Sequence, residues 1–452
     1  MSNLLMTIYN NSPIYFQNFF ASFEGYRLTK KRHGNLYYKY LMEFRMHNHR
    51  SLVKEKEYQL KEMKKLLLYA YNNSPFYQEY YKGIDIESIA SFEDLKKLPI
   101  LYKDILQEKI GLIYTIPEKS AFLTYTISET GKPLKFLNKK EDTQKRMAFV
   151  DSFKKEHGAI NLEMKRATFS PTRFIPKKQQ TKIFWRDNRY MKQRLYSASY
   201  CMERNAEEYV KNLEEFKPEF IDGLTLPIYE LAKYINKNNI ILTFKPIAIF
   251  SEIGTTPPHY REEIETAFDC PLVGQLTAAE GYPFIAECAK GNLHYYLKSG
   301  TIEVVDGDAI VTSFTNYGTP LIRYNIGKHV VLDKDNEYCK CGSIDPVLQL
   351  IRSKKDNFIR SRSKGDFTEF YLSLVSEQFA NSVQKIQFIQ NRIDVIDVLI
   401  ESFDNYTNEV TNNIQEVLQH TFGEDMKFNI RIVEKIPNHS NEKFRLVINN
   451  LD

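Results

Sequence analysis

The sequence predicts an α/β chain in two parts: a large N-terminal α/β body with a β-rich region, and a small, mobile α+β C-terminal domain. Three observations carry this. Helical and apolar strand patterns alternate between residues 207 and 276. Past residue 300 the texture turns to short strands. A charged run without apolar periodicity, 352-RSKKDNFIRSRSKG-365, then precedes a compact C-terminal unit. Strands joined by helices of this length point to a parallel sheet, and a charged aperiodic run reads as a linker. The expected divisions are 1–353 for the body, with a β/zinc region at 285–345, 354–365 for the hinge, and 366–452 for the cap.

The elements follow in order. In 56-KEYQLKEMKKLLLYAYNN-73, Leu60, Met63, Leu66, Leu67 and Ala70 recur at helical spacing until Asn-Asn-Ser-Pro ends the pattern. The stretch 92-FEDLKKLPILYKDILQEKI-110 predicts two short helices separated at Leu98-Pro99. Helices are expected over 207–216, 227–239 and 258–269, the last opened by proline, and apolar strands over 245–253 and 271–276. Strands are expected at 301–305, 309–314 and 329–333. The C-terminal unit reads helix 368–379, strands 385–390 and 393–402, helix 406–422 and strand 427–436. In that last strand Phe428, Ile430 and Ile432 alternate with Asn429 and Arg431, so the three apolar residues are expected on one face.

At 452 residues, 42% hydrophobic and 26% charged, the chain has an ordinary globular composition with room for more than one domain. A formal charge of +5, with no basic tract beyond 27-RLTKKRH-33, gives no case for nucleic-acid binding. The start, MSNLLMTIYNNSPIYFQNFF, lacks a basic n-region and is broken by Asn, Ser and Pro, so no secretory signal is expected. No apolar run reaches the ~18 residues of a membrane span. An amphipathic helix ending in 27-RLTKKRH-33 is expected to pack on its own domain, with peripheral membrane contact as the alternative. Five cysteines, an odd number, without a signal peptide argue against a disulfide framework and for the cytoplasm.

Four features carry chemistry. In 124-TYTISETGKPLKF-136, Thr126, Ser128 and Thr130 offer hydroxyl donors, Gly131 allows close backbone approach and Lys132 adds positive charge. A polyphosphate needs such a loop, and an ordinary hairpin turn has the same composition. In 276-LTAAEGYPFIAEC-288, Glu280 follows a strand among small residues, placed to hold Mg2+ or simply to face solvent. Lys443 lies in 434-EKIPNHSNEKFRLVIN-449, on a polar hairpin near the chain's end; it is either a routine hairpin lysine or one delivered by a mobile cap to a developing phosphate charge. Cys339 and Cys341, with Cys288 and His294, make a three-thiol, one-imidazole set for tetrahedral zinc, or are unrelated buried groups.

Taken together and in this order, these pieces resemble the adenylate-forming superfamily, within it the phenylacetate–CoA ligase-like proteins, and most closely the CapK-type branch associated with capsular polysaccharide biosynthesis. The resemblance spans nearly the whole chain. It rests on 71-YNNSPFYQEYYKGID-85, 184-FWRDNRYMKQRLYSASY-200, 217-KPEFIDG-223, 251-SE-252, 280-EGYPFIAECAKGNLH-294, 312-TSFTNYGTPLIRYNIG-327, the Cys-x-Cys-Gly element and 436-IPNHSNEKFRLVI-448.

The resemblance implies ATP-dependent activation of a carboxylic acid to an acyl-adenylate, then transfer to a thiol such as CoA or to an amine. It implies ATP contacts at Thr126, Ser128, Thr130, Gly131, Lys132, Ser251, Glu252, Thr277 and Lys354, Mg2+ at Glu280, and a catalytic lysine at Lys443. It implies a hinge near Asp356 and a structural zinc held by Cys288, His294, Cys339 and Cys341. The chain also departs from the family pattern. Ile127, Ser128 and Glu129 replace loop serines and glycine, Leu276 replaces the aromatic that stacks on adenine, and Thr277 its glycine. Lys328 stands where an aspartate binds ribose, and Lys354 where an arginine makes a forked contact. A scaffold on the same fold that has lost ATP chemistry is the alternative expectation.

Overall fold

Adjacent residues on three neighbouring strands explain the central layer. Phe220 and Ile221, Ile249 and Phe250, and Leu272 and Val273 are all buried, and each pair feeds opposite faces of one sheet. A strand covered on both faces reads as a continuous apolar run. In the computed structural model this sheet has eight strands, in the order Leu293–Tyr295, Ile285–Glu287, Leu272–Leu276, Ile249–Glu252, Phe220–Gly223, Arg166–Ser170, Gln193–Ser197 and Trp185–Asn188. The five from Leu272–Leu276 to Gln193–Ser197 are parallel, and the outer ones pair antiparallel. The structure describes residues 3–45, 51–126, 134–176, 179, 181–201, 203–252, 258–276, 278, 280–332, 339–351, 358–379, 381–436 and 445–451.

Helices Glu203–Phe216, Thr225–Lys237 and Pro258–Phe268 bury Tyr209, Leu213, Ile228, Leu231 and Ile264 against one face. Helices Asn35–Arg45 and Lys140–Glu156 cover the other through Tyr37, Phe44, Phe149 and Phe153. Phe44 and Phe149 stack with centroids 3.7 Å apart.

A second, antiparallel sheet runs Gly300–Val305, Asp308–Ser313, Tyr324–Leu332 and Leu348–Ile351. Its first turn puts Asp306 and Gly307 at φ +51° and +84°, the left-handed pair that a two-residue hairpin requires. Helix Leu52–Asn73 packs Met63, Leu66, Leu67 and Ala70 into the same core as Ile302, Val311 and Val330. Ser74 caps the next helix, Pro75–Tyr80, by accepting from Tyr77 N, with Pro75 at its start. The predicted pair of helices around Leu98-Pro99 is a single turn of 3-10 helix, Asp94–Lys97, and an α-helix, Lys103–Ile113.

The C-terminal unit is a four-stranded sheet in the order Lys427–Ile432, Val395–Ser402, Val383–Arg392, Val447–Asn449, with helices Glu369–Glu377 and Asn408–Phe422 packed on it. Residues 358–361, inside the stretch expected as the hinge, pair with 365–368 as a hairpin. Ile359 and Phe367 enter the C-terminal core, and Gln390 bonds both backbone groups of Arg360 at 2.7 Å. Phe358-Ile359 is the apolar pair in an otherwise charged run, and burying Ile359 in the C-terminal core places this segment with the cap. In strand Lys427–Ile432 the alternation holds for Phe428 and Ile430, but Ile432 is 55% exposed at the strand's end, against expectation.

The N-terminal helix Ile14–Arg32 lies along the edge strand Trp185–Asn188. Among the described residues no helix is long and apolar enough to cross a membrane.

Candidate functional site

Strands Phe220–Gly223, Ile249–Glu252 and Leu272–Leu276 end at one edge of the parallel sheet, where open α/β sheets place their ligands. Ser251 is buried there and its hydroxyl bonds that of Thr225. Glu252 closes its strand, with its side chain outside the described residues. After Leu276 the chain turns through Ala278 to Glu280. Leu276 itself packs in the body core with Ile285.

The acid turn is fastened on several sides. Asn316 Nδ2 donates to the Glu280 carbonyl at 3.2 Å, and the hydroxyls of Ser313 and Thr315 donate to the Gly281 carbonyl. Gly281 has φ +82°, and a Cβ there would lie 3.3 Å from both Arg146 Nη1 and Asn316 Cβ. Burial pushes the Glu280 carboxyl above its ordinary range, opposed by a hydrogen bond from the Tyr282 hydroxyl and by the nearby Lys103 and Arg146 charges. A carboxylate so placed can hold a divalent cation jointly with ligand phosphates.

Arg146, on helix Lys140–Glu156, donates Nη2 to the Ala278 carbonyl and Nη1 to Asn138 Oδ1 at 3.3 Å. Asn138 in turn donates to Thr124 Oγ1 at 3.0 Å and to the Phe122 carbonyl at 3.2 Å. Strands Phe122–Tyr125 and Lys135–Asn138 are the two arms of the hydroxyl-rich loop. Thr126 continues the first arm: its N donates to the Leu134 carbonyl, and its Oγ1 accepts from Leu134 N, each at 3.0 Å. Thus a guanidinium and one amide tie the roots of this loop to the acid turn. Residues 315–319 fill the gap between them. Thr319 Oγ1 bonds Leu137 N at 2.8 Å and Leu137 O at 3.0 Å, and Gly318 lies so close that a Cβ would meet Leu137 O at 2.3 Å. Asp142 accepts from the backbone of Lys139, Tyr317 and Gly318; burial outweighs these donors and raises its carboxyl to about 6.

Ser128, Thr130, Gly131, Lys132, Thr277, Lys354, Asp356 and Lys443 lie outside the described residues. The flanks of the lysine-bearing segment are described. Ile436 N donates to Glu401 Oε1 at 2.7 Å, and Leu446 N to Glu369 Oε1 at 3.1 Å. Lys328 is half-buried in strand Tyr324–Leu332.

Arg146, Asn138 and Asn316 do not emerge from sequence reasoning as site residues. Asn316 lies within 312-TSFTNYGTPLIRYNIG-327, which carries the family resemblance. Arg146 sits in a lysine-rich helix where nothing in the spacing distinguishes it from a solvated charge.

The Cys/His set does converge. Donor atoms of Cys288, His294, Cys339 and Cys341 all lie within 4.8 Å of one another. Cys288 Sγ is 3.8 Å from Cys339 Sγ, and Cys341 Sγ is 3.5 Å from His294 Nε2. Tetrahedral bonds of about 2.3 Å to sulfur and about 2.05 Å to nitrogen give edges of about 3.8 Å and about 3.6 Å, so the set fits zinc. Each thiol accepts the N–H two residues on: Cys288 from Lys290, Cys339 from Cys341 and Cys341 from Ser343, each at 3.4 Å. His294 turns Nδ1 to the Asp345 carbonyl at 2.6 Å, which leaves Nε2 for a metal. Cys288 directly follows strand Ile285–Glu287 and His294 lies within strand Leu293–Tyr295 of the large sheet, while Cys339 and Cys341 come from the connection between the third and fourth strands of the second sheet.

Residues 359–450 match the CapK C-terminal domain family. The chain is 34% identical to Protein CapK of Staphylococcus aureus over 458 residues, covering 99% of this chain and 100% of that one. Among solved structures it is similar to 2-hydroxyisobutyryl-CoA ligase bound to 2-HIB-AMP and CoA in the thioesterification state, with TM-score 0.61, 16% identity and coverage of 89% and 91% of the two chains. It is also similar to that ligase bound to 2-HIB-AMP in the postadenylation state, with TM-score 0.57, 15% identity and coverage of 88% and 90%. With its apolar strands in a parallel sheet, its acid turn at the strand ends and its small C-terminal unit, the chain belongs to the CapK family, on the fold of the adenylate-forming CoA ligases.

Proposed function

We propose that this chain is an ATP-dependent ligase that activates a carboxylic acid as its acyl-adenylate and passes the acyl group to CoA or to an amine. The observation that supports it best is the tie between two distant segments: Arg146 and Asn138 join the roots of the hydroxyl-rich loop to the turn bearing half-buried Glu280. A body that only held a shape would gain nothing from withdrawing an acid partly from water at the strand ends.

In this reading the carboxylate substrate attacks the α-phosphorus of ATP and pyrophosphate departs. Thr126, Ser128, Thr130, Gly131 and Lys132 grip the β and γ phosphates. Glu280 would hold Mg2+ against them, which would supply positive charge to offset the phosphates. Ser251, Glu252, Thr277 and Lys354 lie along the nucleotide. Lys443, carried by the C-terminal domain, stabilises charge at the bridging oxygens. The cap then turns near Asp356 to admit the acceptor. Cys288, His294, Cys339 and Cys341 hold a structural zinc. The CapK kinship supports a place in surface polysaccharide synthesis, and the free cysteines fit the cytoplasm.

A specific observation favours a second reading, a scaffold without ATP chemistry. Leu276, at the position of the adenine-stacking aromatic, is buried in the core, and Lys328 occupies the ribose-binding position. Calorimetry with ATP and Mg2+, followed by pyrophosphate release with a panel of carboxylic acids, separates the two. The ligase binds ATP and releases pyrophosphate with at least one acid. Absence of ATP heat in a folded, zinc-loaded protein would leave the scaffold.

A further inference from the structure

Helix Ile14–Arg32 is mounted with its polar side inward. Gln17 Oε1 accepts from Arg186 Nε at 2.6 Å, Asn18 Oδ1 from Asp187 N at 3.0 Å, and Ser22 Oγ from Arg189 N at 3.0 Å. Gly25 lies against Asn188, where a Cβ would come within 2.3 Å of the amide. The apolar side faces out: Tyr15 is 68% exposed, Phe19 64%, Phe23 56% and Tyr26 41%. With Lys30 these residues are spaced four, four, three and four apart, which is one stripe of a helix. Solvated surfaces rarely carry an aromatic stripe of this kind, and its exposure calls for an occupant.

Charge identifies the occupant. Residues 3–33 hold four Lys/Arg and one acid, Glu24, which pairs with Arg27 at 2.8 Å. Lys30, exposed at the stripe's end, sits 5.4 Å from the Tyr26 ring. Tyr190 of the body adds another exposed ring, 5.1 Å from Tyr26. Aromatic rings ending in lysines match the interfacial zone of a bilayer, rings among the upper acyl chains and ammonium groups among phosphates.

We propose that this helix holds the protein against an anionic lipid bilayer. Lys31, next along the helix, lies 5.0 Å from the Phe122 ring on the hydroxyl-rich hairpin, so the lipid-facing surface adjoins the candidate site.

The full-length protein is sedimented with vesicles of phosphatidylcholine alone or with phosphatidylglycerol added, at low and high salt. Binding is expected to the anionic vesicles, to weaken in high salt, and to be marginal on phosphatidylcholine. Reversing two charges (K30E with K31E) is expected to weaken it about tenfold or more, as is F19S with F23S. These positions are on the surface, and an unchanged thermal midpoint confirms that the variants fold. Absence of binding to the anionic vesicles overturns the proposal. Equal binding to both vesicle types also overturns it. So does a dimer in light scattering that F19S/F23S converts to monomer without any vesicle binding, because the face is then a contact between copies.

Discussion

Arg146 and Asn138 meet at 3.3 Å, and a second nitrogen of the same guanidinium reaches the carbonyl of Ala278. One side chain thereby fixes the spacing between the hydroxyl-rich hairpin and the acid turn. If these are the phosphate and metal contacts, that spacing is the distance a triphosphate must bridge. Arg146→Lys keeps a charge but loses the fork. It is expected to lower adenylate formation about 100-fold, as a misplaced catalytic contact does, and to raise the Mg2+ concentration needed for half-maximal rate. Pyrophosphate release measured against Mg2+ checks both. An unchanged Mg2+ dependence would reduce Arg146 to a structural residue.

Lys443→Ala is expected to lower adenylate formation about 100- to 1,000-fold while leaving the melting temperature unchanged. The flanks of that segment offer a milder change. Glu369 and Glu401 are buried and accept the N–H groups of Leu446 and Ile436. Glu401→Gln keeps an acceptor but gives up the charge-assisted bond, so a rate loss of about tenfold or less is expected. A full-rate Lys443→Ala protein removes the proposed role of the lysine.

Metal analysis of chelator-washed protein is expected to find one zinc per chain. Cys341→Ser should release it and cost about 3–5 kcal/mol, seen as a fall of roughly 3–5 °C in melting temperature. Zinc-free protein with an undiminished melting temperature would show that the four groups meet without a metal.

Asp142 gives a pH signature. Burial raises its carboxyl from 3.8 to about 6. Between those values the folded state keeps a proton that the unfolded chain has released, so this group's contribution is full below 3.8 and is lost as pH rises through about 6. The difference is about 3 kcal/mol. Relative to Asp142→Asn, the parent protein should therefore lose about that much stability from about pH 4 to about pH 7. Urea midpoints of the two proteins across this range give the measurement, and parallel curves would place the carboxyl in its ordinary range.

How much of this was legible depends on distance along the chain. Periodicity finds the helix Pro258–Phe268 and the strands on either side of it, because each is a local pattern of buried residues. Strand order is a different matter. Arg166–Ser170 lies between Phe220–Gly223 and Gln193–Ser197, a placement that no local pattern encodes. Gly281 and Glu280 are readable as a turn and an acid, but the arginine that holds them lies 132 residues before Ala278. Cys339 and Cys341 announce themselves by spacing, and Asp345, which orients His294, does so only through its backbone carbonyl. The N-terminal helix packs on its own domain, as the sequence suggests. Its mounting is the reverse of the usual one because an amide and a hydroxyl, rather than aromatics, meet the backbone of Asp187 and Arg189.

That mounting also shields the sheet's margin. Trp185–Asn188 is the terminal strand of the eight, and the outward N–H of Asp187 would be an open ladder position if Asn18 did not occupy it. Ser22 fills the neighbouring place at Asp187 O, 3.4 Å away. A chain begun after residue 33 would present that margin bare, and bare strand margins recruit other strands. The first cost of such a truncation would be filament or precipitate formation.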